Sequence, residues 1–151
     1  MKLSIIIPVY NEENTLEEVI LRTRKAFENQ NYEIIITDDG SDTPIVGKEE
    51  RRGYWNKNIL LLRHDKNYGK GRAIRTALAK ASGDYIAIQD ADLEYDPKSL
   101  QELAVRALSS NCVVYGKRSG EEGYLLARIG NRILSLVCNT LFRSHLSDIY
   151  T

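Results

Sequence analysis

Leu3-Ser4-Ile5-Ile6-Ile7-Pro8-Val9-Tyr10-Asn11-Glu12-Glu13 begins with a short apolar run that meets a proline and then two acidic residues. It lacks the small-residue cleavage site of a signal peptide and reads as a strand. It also lacks period-two alternation, so the strand is expected to be covered on both faces, as in a parallel sheet between helical layers. Similar runs return at Tyr32–Thr37, Asn58–Arg63, Asp84–Gln89 and Asn111–Tyr115. Between the first two, Leu16, Val19, Ile20 and Phe27 recur at helical spacing, and Asn14 with Glu17 resembles a capping box. Gly71–Ser82 reads as a second helix stopped by Gly83, and Pro97 opens a third that runs through Leu108. This alternation predicts an α/β fold, a doubly wound, mostly parallel sheet with helices on both faces.

The chain has 151 residues, 42% hydrophobic and 28% charged, the composition of one globular domain large enough for a real core. Lys and Arg total 21, as do Asp and Glu. With no net charge, no global field recruits nucleic acid or anionic lipid, and any anion site must be local. Cys112 and Cys138 lie in apolar stretches without CxxC or Cys/His metal spacing, which points to a reducing, cytoplasmic compartment. The most apolar stretch, Leu125 to Phe142, contains Arg128, Asn131, Arg132 and Asn139, so no membrane span is expected. Ser147-Asp148-Ile149-Tyr150-Thr151 follows that long helical stretch with no closing strand or helix, which suggests a single domain, 1–151, truncated at its C-terminus.

In a doubly wound sheet, ligands bind beyond the carboxyl ends of the strands, where the strand order reverses. If strand one is central and strand four is its neighbour, Tyr10-Asn11-Glu12-Glu13 and Asp90-Ala91-Asp92 line that crevice, with Asp38-Asp39-Gly40-Ser41-Asp42 beside them. So many carboxylates at one edge call for a cation or hydrogen-bond donors. Asp90 and Asp92, two apart at a strand end, would share a face and suit Mg²⁺ or Mn²⁺ together with diphosphate oxygens. An isolated Asp-x-Asp fits a solvated turn equally well.

Taken together, Ile5-Ile6-Ile7-Pro8-Val9-Tyr10-Asn11-Glu12, Asp38-Asp39-Gly40-Ser41, Asn67-Tyr68-Gly69-Lys70-Gly71 and Gln89-Asp90-Ala91-Asp92 resemble the ordered motifs of family 2 glycosyltransferases of the GT-A fold. The resemblance is closest to dolichyl and polyprenyl phosphate mannose and glucose synthases. It implies that Pro8, Tyr10 and Glu12 border the nucleoside and that Asp39 accepts a hydrogen bond from the base. It places Asp90 near the ribose or metal and Asp92 on the metal that bridges two phosphates. Pro8 also fits a strand end, and Glu12 also fits a residue favouring a helix N-terminus. Asp38 is the more structural of its pair, because the base needs one carboxylate. Lys70 touches the nucleotide or is a solvated helix-start lysine. His64 is assigned to a loop without a catalytic case.

On the long helix, Arg128, Arg132, Ser135 and Asn139 form one polar stripe, which fits either a solvated face or an acceptor site. The resemblance assigns the acceptor phosphate to Arg118, Arg132 and Ser135, and arginine's planar fork suits phosphate oxygens. It implies inverting, metal-dependent transfer of a sugar from a UDP- or GDP-linked donor to a polyprenyl phosphate at the membrane surface, with possible self-association through the apolar helix faces. For a hydroxyl acceptor, Asp148 is the candidate base. The alternatives are a nucleotide-sugar-binding domain inactive in truncated form, a nucleotidyltransferase, and a phosphorylation-receiver module. The last would carry its acidic pair after strand one, whereas Asp38 and Asp39 follow strand two. No GxxxxGK[ST] or GxGxxG is present, which disfavours triphosphate hydrolysis and nicotinamide chemistry.

Overall fold

The structure, a computed structural model, describes residues 1–45, 58–116 and 125–142, with side chains in the last stretch described for 133–141. Four strands form one sheet: β1 (Leu3–Val9), β2 (Tyr32–Asp38), β3 (Ile59–Arg63) and β4 (Tyr85–Ile88). All neighbours pair in parallel, in the order β3-β2-β1-β4. β1 is therefore central with β4 as its neighbour, the arrangement on which the reading of the crevice is conditional. Helices α1 (Leu16–Ala26), α2 (Lys70–Leu78) and α3 (Pro97–Ser110) connect or follow the strands, and α4 (Leu125–Phe142) comes later.

Successive side chains of a strand point to opposite faces, so the continuous Ile run of β1 feeds two cores. Leu3, Ile5, Ile7 and Val9 pack with Leu16, Val19, Ile20 and Phe27 of the α1 segment and with Ala104 of α3. Ile6, with Ile35 of β2, meets Ala77 and Ile74 of α2 on the other face. Every residue of β1 is buried, and each Ile so removed from water stabilises the fold by roughly 1.5 to 3 kcal/mol.

The expectation that all strands are buried on both sides needs correction. β3 and β4 are edge strands among the described residues, and none of their residues is fully buried: Leu60, Ile86 and Ile88 are exposed and Ile59, Leu61, Leu62, Tyr85 and Ala87 half-buried. The expected fifth strand, Asn111–Tyr115, is absent. α3 runs on to Ser110, Asn111 ends it in a left-handed conformation (φ 49°), and Val113 and Tyr115 lie exposed. Two local readings also change. Thr15, not Asn14, precedes the first turn of α1, and its hydroxyl turns back to the Glu12 carbonyl and carboxylate (both 3.2 Å), so no capping box forms. Gly83 lies five residues beyond α2 and does not stop it. Its Cα passes so close to β1 that an added Cβ would stand 2.6 Å from the Ser4 nitrogen. α3 starts as read, with Pro97 in the first turn and Asp96 accepting from the Lys98 N–H (3.0 Å).

Two compact units divide at residue 112. In the second, α4 leaves Ile133, Leu134, Leu136, Val137 and Leu141 exposed, while Ser135 is buried. No described helix is long and apolar enough to cross a membrane. Both cysteines are free thiols, and Cys112 is exposed.

Candidate functional site

The carboxyl edge of the sheet is held together by hydrogen bonds that continue past the strand ends. The Asp39 N–H reaches the Val9 carbonyl (2.8 Å), the His64 N–H reaches the Asp38 carbonyl (2.8 Å), and the Gln89 N–H reaches the Ile6 carbonyl (2.9 Å). The loops after β1 and β2 then bond directly. Asn11 donates its backbone N–H to Ser41 Oγ (2.9 Å), and its side chain exchanges hydrogen bonds with Asp42. Asn11 itself is left-handed (φ 56°), a conformation that asparagine tolerates better than most residues.

The acidic crowding at this edge is met by the chain's own donors, so no bound cation is needed to explain it. Asp38, fully buried, accepts from the Ser41 N–H (2.9 Å) and pairs with Arg63, its register partner across β2 and β3. Asp39, also buried, accepts from the Tyr68 N–H (3.0 Å) and His64 Nδ1 (2.6 Å) on one oxygen and from the Gly69 N–H (2.7 Å) on the other. Burial alone would raise the Asp39 pKa, but His64 and the two amides outweigh it and hold the carboxyl below its ordinary value. Asp90, half-buried, pairs with Lys70 Nζ (2.6 Å). Asp92 is exposed and accepts from the Glu94 N–H (3.0 Å), closing a turn.

β4 ends at Ile88, so Asp90 and Asp92 lie beyond the strand in an irregular loop, and the argument that they share a strand face does not hold. That loop is anchored by Gln89, a buried residue the sequence reading passed over. Its amide donates to the carbonyls of Asp90 (3.2 Å) and Tyr95 (3.1 Å). Tyr10, in the loop after β1, is 45% exposed and leaves part of its ring open to a flat ligand. Pro8 is buried inside β1 opposite Thr37. Glu12 is half-buried, and its carboxylate accepts from Thr15 at the start of α1.

Gly40 and Gly69 both have positive φ (75° and 90°), and Gly40 additionally has the Lys66 backbone where a Cβ would be. These glycines let the Asp38-Asp39 turn and the 67–69 turn close on one another. His64 does lie in a loop, as expected, but it is the hub of that closure: Nδ1 meets Asp39, Nε2 meets Thr76 Oγ1 (2.9 Å), and its ring sits edge-on to Tyr68 (5.4 Å between centroids). The parallel register could have revealed it, because the residue after β3 must stand beside the residue after β2.

Arg118, the side chains of Arg128 and Arg132, and Asp148 lie outside the described residues. Ser135 of α4 is buried, and its hydroxyl has no hydrogen-bond partner among the described residues.

Comparison with known proteins agrees with this architecture. Residues 4–139 match the family model described as glycosyl transferase family 2. An undecaprenyl-phosphate 4-deoxy-4-formamido-L-arabinose transferase from Proteus mirabilis is 31% identical over 137 residues, covering 89% of this chain and 42% of that protein. The enzyme of the same name from Salmonella paratyphi B is 32% identical, covering 90% and 42%. The chain therefore spans about two fifths of the length of these relatives. Among solved structures, S. aureus TarS 1-349 in complex with UDP superposes with a TM-score of 0.63 at 23% identity, over 82% of this chain and 38% of that one. The mannosyltransferase PcManGT from Pyrobaculum calidifontis, in complex with GDP-Man and Mn²⁺, does so with a TM-score of 0.57 at 25% identity, over 68% and 31%.

Proposed function

This chain belongs to glycosyl transferase family 2, and on that premise we propose that it carries the donor-binding part of a transferase that moves a sugar from a nucleoside diphosphate to a polyprenyl phosphate, with inversion, at a membrane face. The observation that carries the reading is the convergence of Tyr10, Asp39, Lys70, Asp90 and Asp92 on loops at one edge of a parallel sheet. Its relatives named for undecaprenyl phosphate support the acceptor class. Residues 1–151 are read as part of one catalytic domain.

In this reading Tyr10 covers the nucleoside from the solvent side, while Pro8 and Glu12 shape the wall behind it. Asp39 keeps one acceptor lone pair after its three internal donors, and we assign it to a base N–H. Lys70 can move from Asp90 to a phosphate oxygen, because the pair is solvent-accessible and weakly held.

Asp90 and Asp92 are hard-oxygen donors in number and type suited to Mg²⁺ or Mn²⁺ completed by diphosphate oxygens and water. A bound divalent ion would neutralise the charge that develops on the departing diphosphate. A lipid phosphate acceptor is already ionised at neutral pH, so no general base is required of this chain. Arg118 and Arg132 are proposed to hold that phosphate, with the Ser135 hydroxyl, which has no partner among the described residues, as a further donor.

The test is a thermal-shift panel of UDP and GDP, each with Mn²⁺ and with chelator, on the wild type and Asp92→Asn. A ligand that binds only the folded state at a hundred times its Kd stabilises by about 2.7 kcal/mol. We expect metal-dependent stabilisation by at least one nucleotide, lost in Asp92→Asn. Equal stabilisation in chelator would refute the metal role, and no stabilisation by either nucleotide would refute the donor site.

A further inference from the structure

We propose that His64 is a positioning residue for nucleoside recognition: with Thr76 and Tyr68 it fixes the carboxylate of Asp39 and the 67–69 turn in the arrangement that receives the base.

The side chains of Asp39 and His64 are 3% and 11% exposed, so solvent cannot replace the contacts between them. An ionised carboxylate only accepts, which makes His64 Nδ1 the donor at 2.6 Å in either protonation state of the ring. Nε2 then meets Thr76 Oγ1 at 2.9 Å, tying the ring to the last turn of α2. The imidazole is thus held at both nitrogens and along its edge by Tyr68, and it cannot turn without breaking all three contacts. The carboxylate it holds also receives the Tyr68 and Gly69 amides, immediately before α2 opens at Lys70. One connection therefore runs from α2 through His64 and Asp39 to the 67–69 turn. Removing the imidazole leaves a buried carboxylate one donor short and held by the Tyr68 and Gly69 amides alone.

The inference rests on the reading that a nucleoside sits at Asp39. Calorimetry with UDP, GDP and inorganic pyrophosphate, each with Mn²⁺, separates the two. His64→Ala is expected to weaken the better-bound nucleoside diphosphate tenfold or more and to leave pyrophosphate affinity within twofold. His64→Asn places an amide N–H near the position of Nδ1 and is expected to recover most of the loss. A His64→Ala protein that binds the nucleotide as the wild type does, or that loses pyrophosphate equally, overturns the positioning role while the donor-site reading stands. A wild type that binds neither nucleotide overturns both. If His64→Ala fails to fold, Thr76→Val removes only the Nε2 contact. A severalfold loss confined to the nucleoside diphosphates supports the proposal, and unchanged affinity overturns it.

Discussion

Replacing Glu33 by glutamine should destabilise the protein at neutral pH, and that cost should fade in acid. Glu33 faces the amino edge of the sheet, opposite the candidate site, with its side chain 17% exposed. It accepts from Lys2 Nζ (2.6 Å), Ser4 Oγ (2.5 Å), the Ser82 N–H (2.7 Å) and Ser82 Oγ. Burial alone would raise its pKa, but these donors outweigh burial and hold it at about 2, against an ordinary 4.5. A folded-state pKa depressed below the unfolded value means stability that is fully present above pH 4.5 and lost as the pH falls towards 2. The difference corresponds to a ceiling of about 3 kcal/mol. Because Lys2 is partly solvated, roughly 1 to 2 kcal/mol is the expected cost of Glu33→Gln at pH 7. Urea denaturation of both proteins at pH 7, 5 and 3 measures it: the gap should hold between pH 7 and 5 and shrink by pH 3, where the unfolded chain has taken up a proton at Glu33 that the native carboxylate still largely refuses. A gap that is the same at pH 3 as at pH 7 would refute the electrostatic account and leave packing as the cause.

Gly40→Ala should destabilise the protein more than Gly69→Ala in the same assay. Both carry a positive φ, worth roughly 1 to 2 kcal/mol against alanine, but only at Gly40 would the new Cβ lie 2.4 Å from the Lys66 backbone, whereas at Gly69 it meets nothing within 4 Å. Equal losses would mean that the 66–67 segment moves aside freely. The exposed apolar side chains of α4 should drive concentration-dependent association, seen as a rising mass in light scattering, and Leu136→Glu with Leu141→Glu should reduce it. A wild type that stays monomeric at high concentration would refute the association.

The α/β class and the position of the acidic loops at strand ends were legible in the sequence because each rests on local chemistry, whereas the strand order entered only as a condition that the pairing of β1 with β2 and β4 then met. Seven buried residues in β1 and seven mostly buried in β2 are what continuous Ile and Val runs require. Where competing local signals met, the sequence misled. Asn111–Tyr115 has strand-forming residues, yet the preceding helix runs on and uses Asn111 as its left-handed end. Asp90 and Asp92 were placed correctly after β4, but the point where the strand stops depends on pairing with β1, which ends at Ile6↔Ile88. His64 and Gln89 were read in the sequence without the roles they hold, because those roles come from a partner 25 residues away and from a loop's own carbonyls, respectively, and neither leaves a spacing pattern.

A site lined with carboxylates must still attract a diphosphate, and the topology supplies the reason. In a parallel sheet every helix that follows a strand begins at the carboxyl edge. α1, α2 and α3 all start there, at Leu16, Lys70 and Pro97, each bringing the positive end of its dipole. α3 is capped by Asp96, whereas neither α1 nor α2 has a side-chain cap, and backbone carbonyls take part of their first turns instead: the Leu16 N–H donates to Glu12 (3.1 Å) and the Arg72 N–H to Gly69 (2.9 Å). The carboxylates do not cancel this field in full. Asp38 pairs with Arg63, Asp39 with His64 and two amides, and Asp90 with Lys70, so much of their charge is met within the fold before a ligand arrives. The acidic edge is therefore far less negative than its sequence suggests, and Asp92, exposed and held by one amide, is the carboxylate left most accessible for a cation that would arrive with the diphosphate.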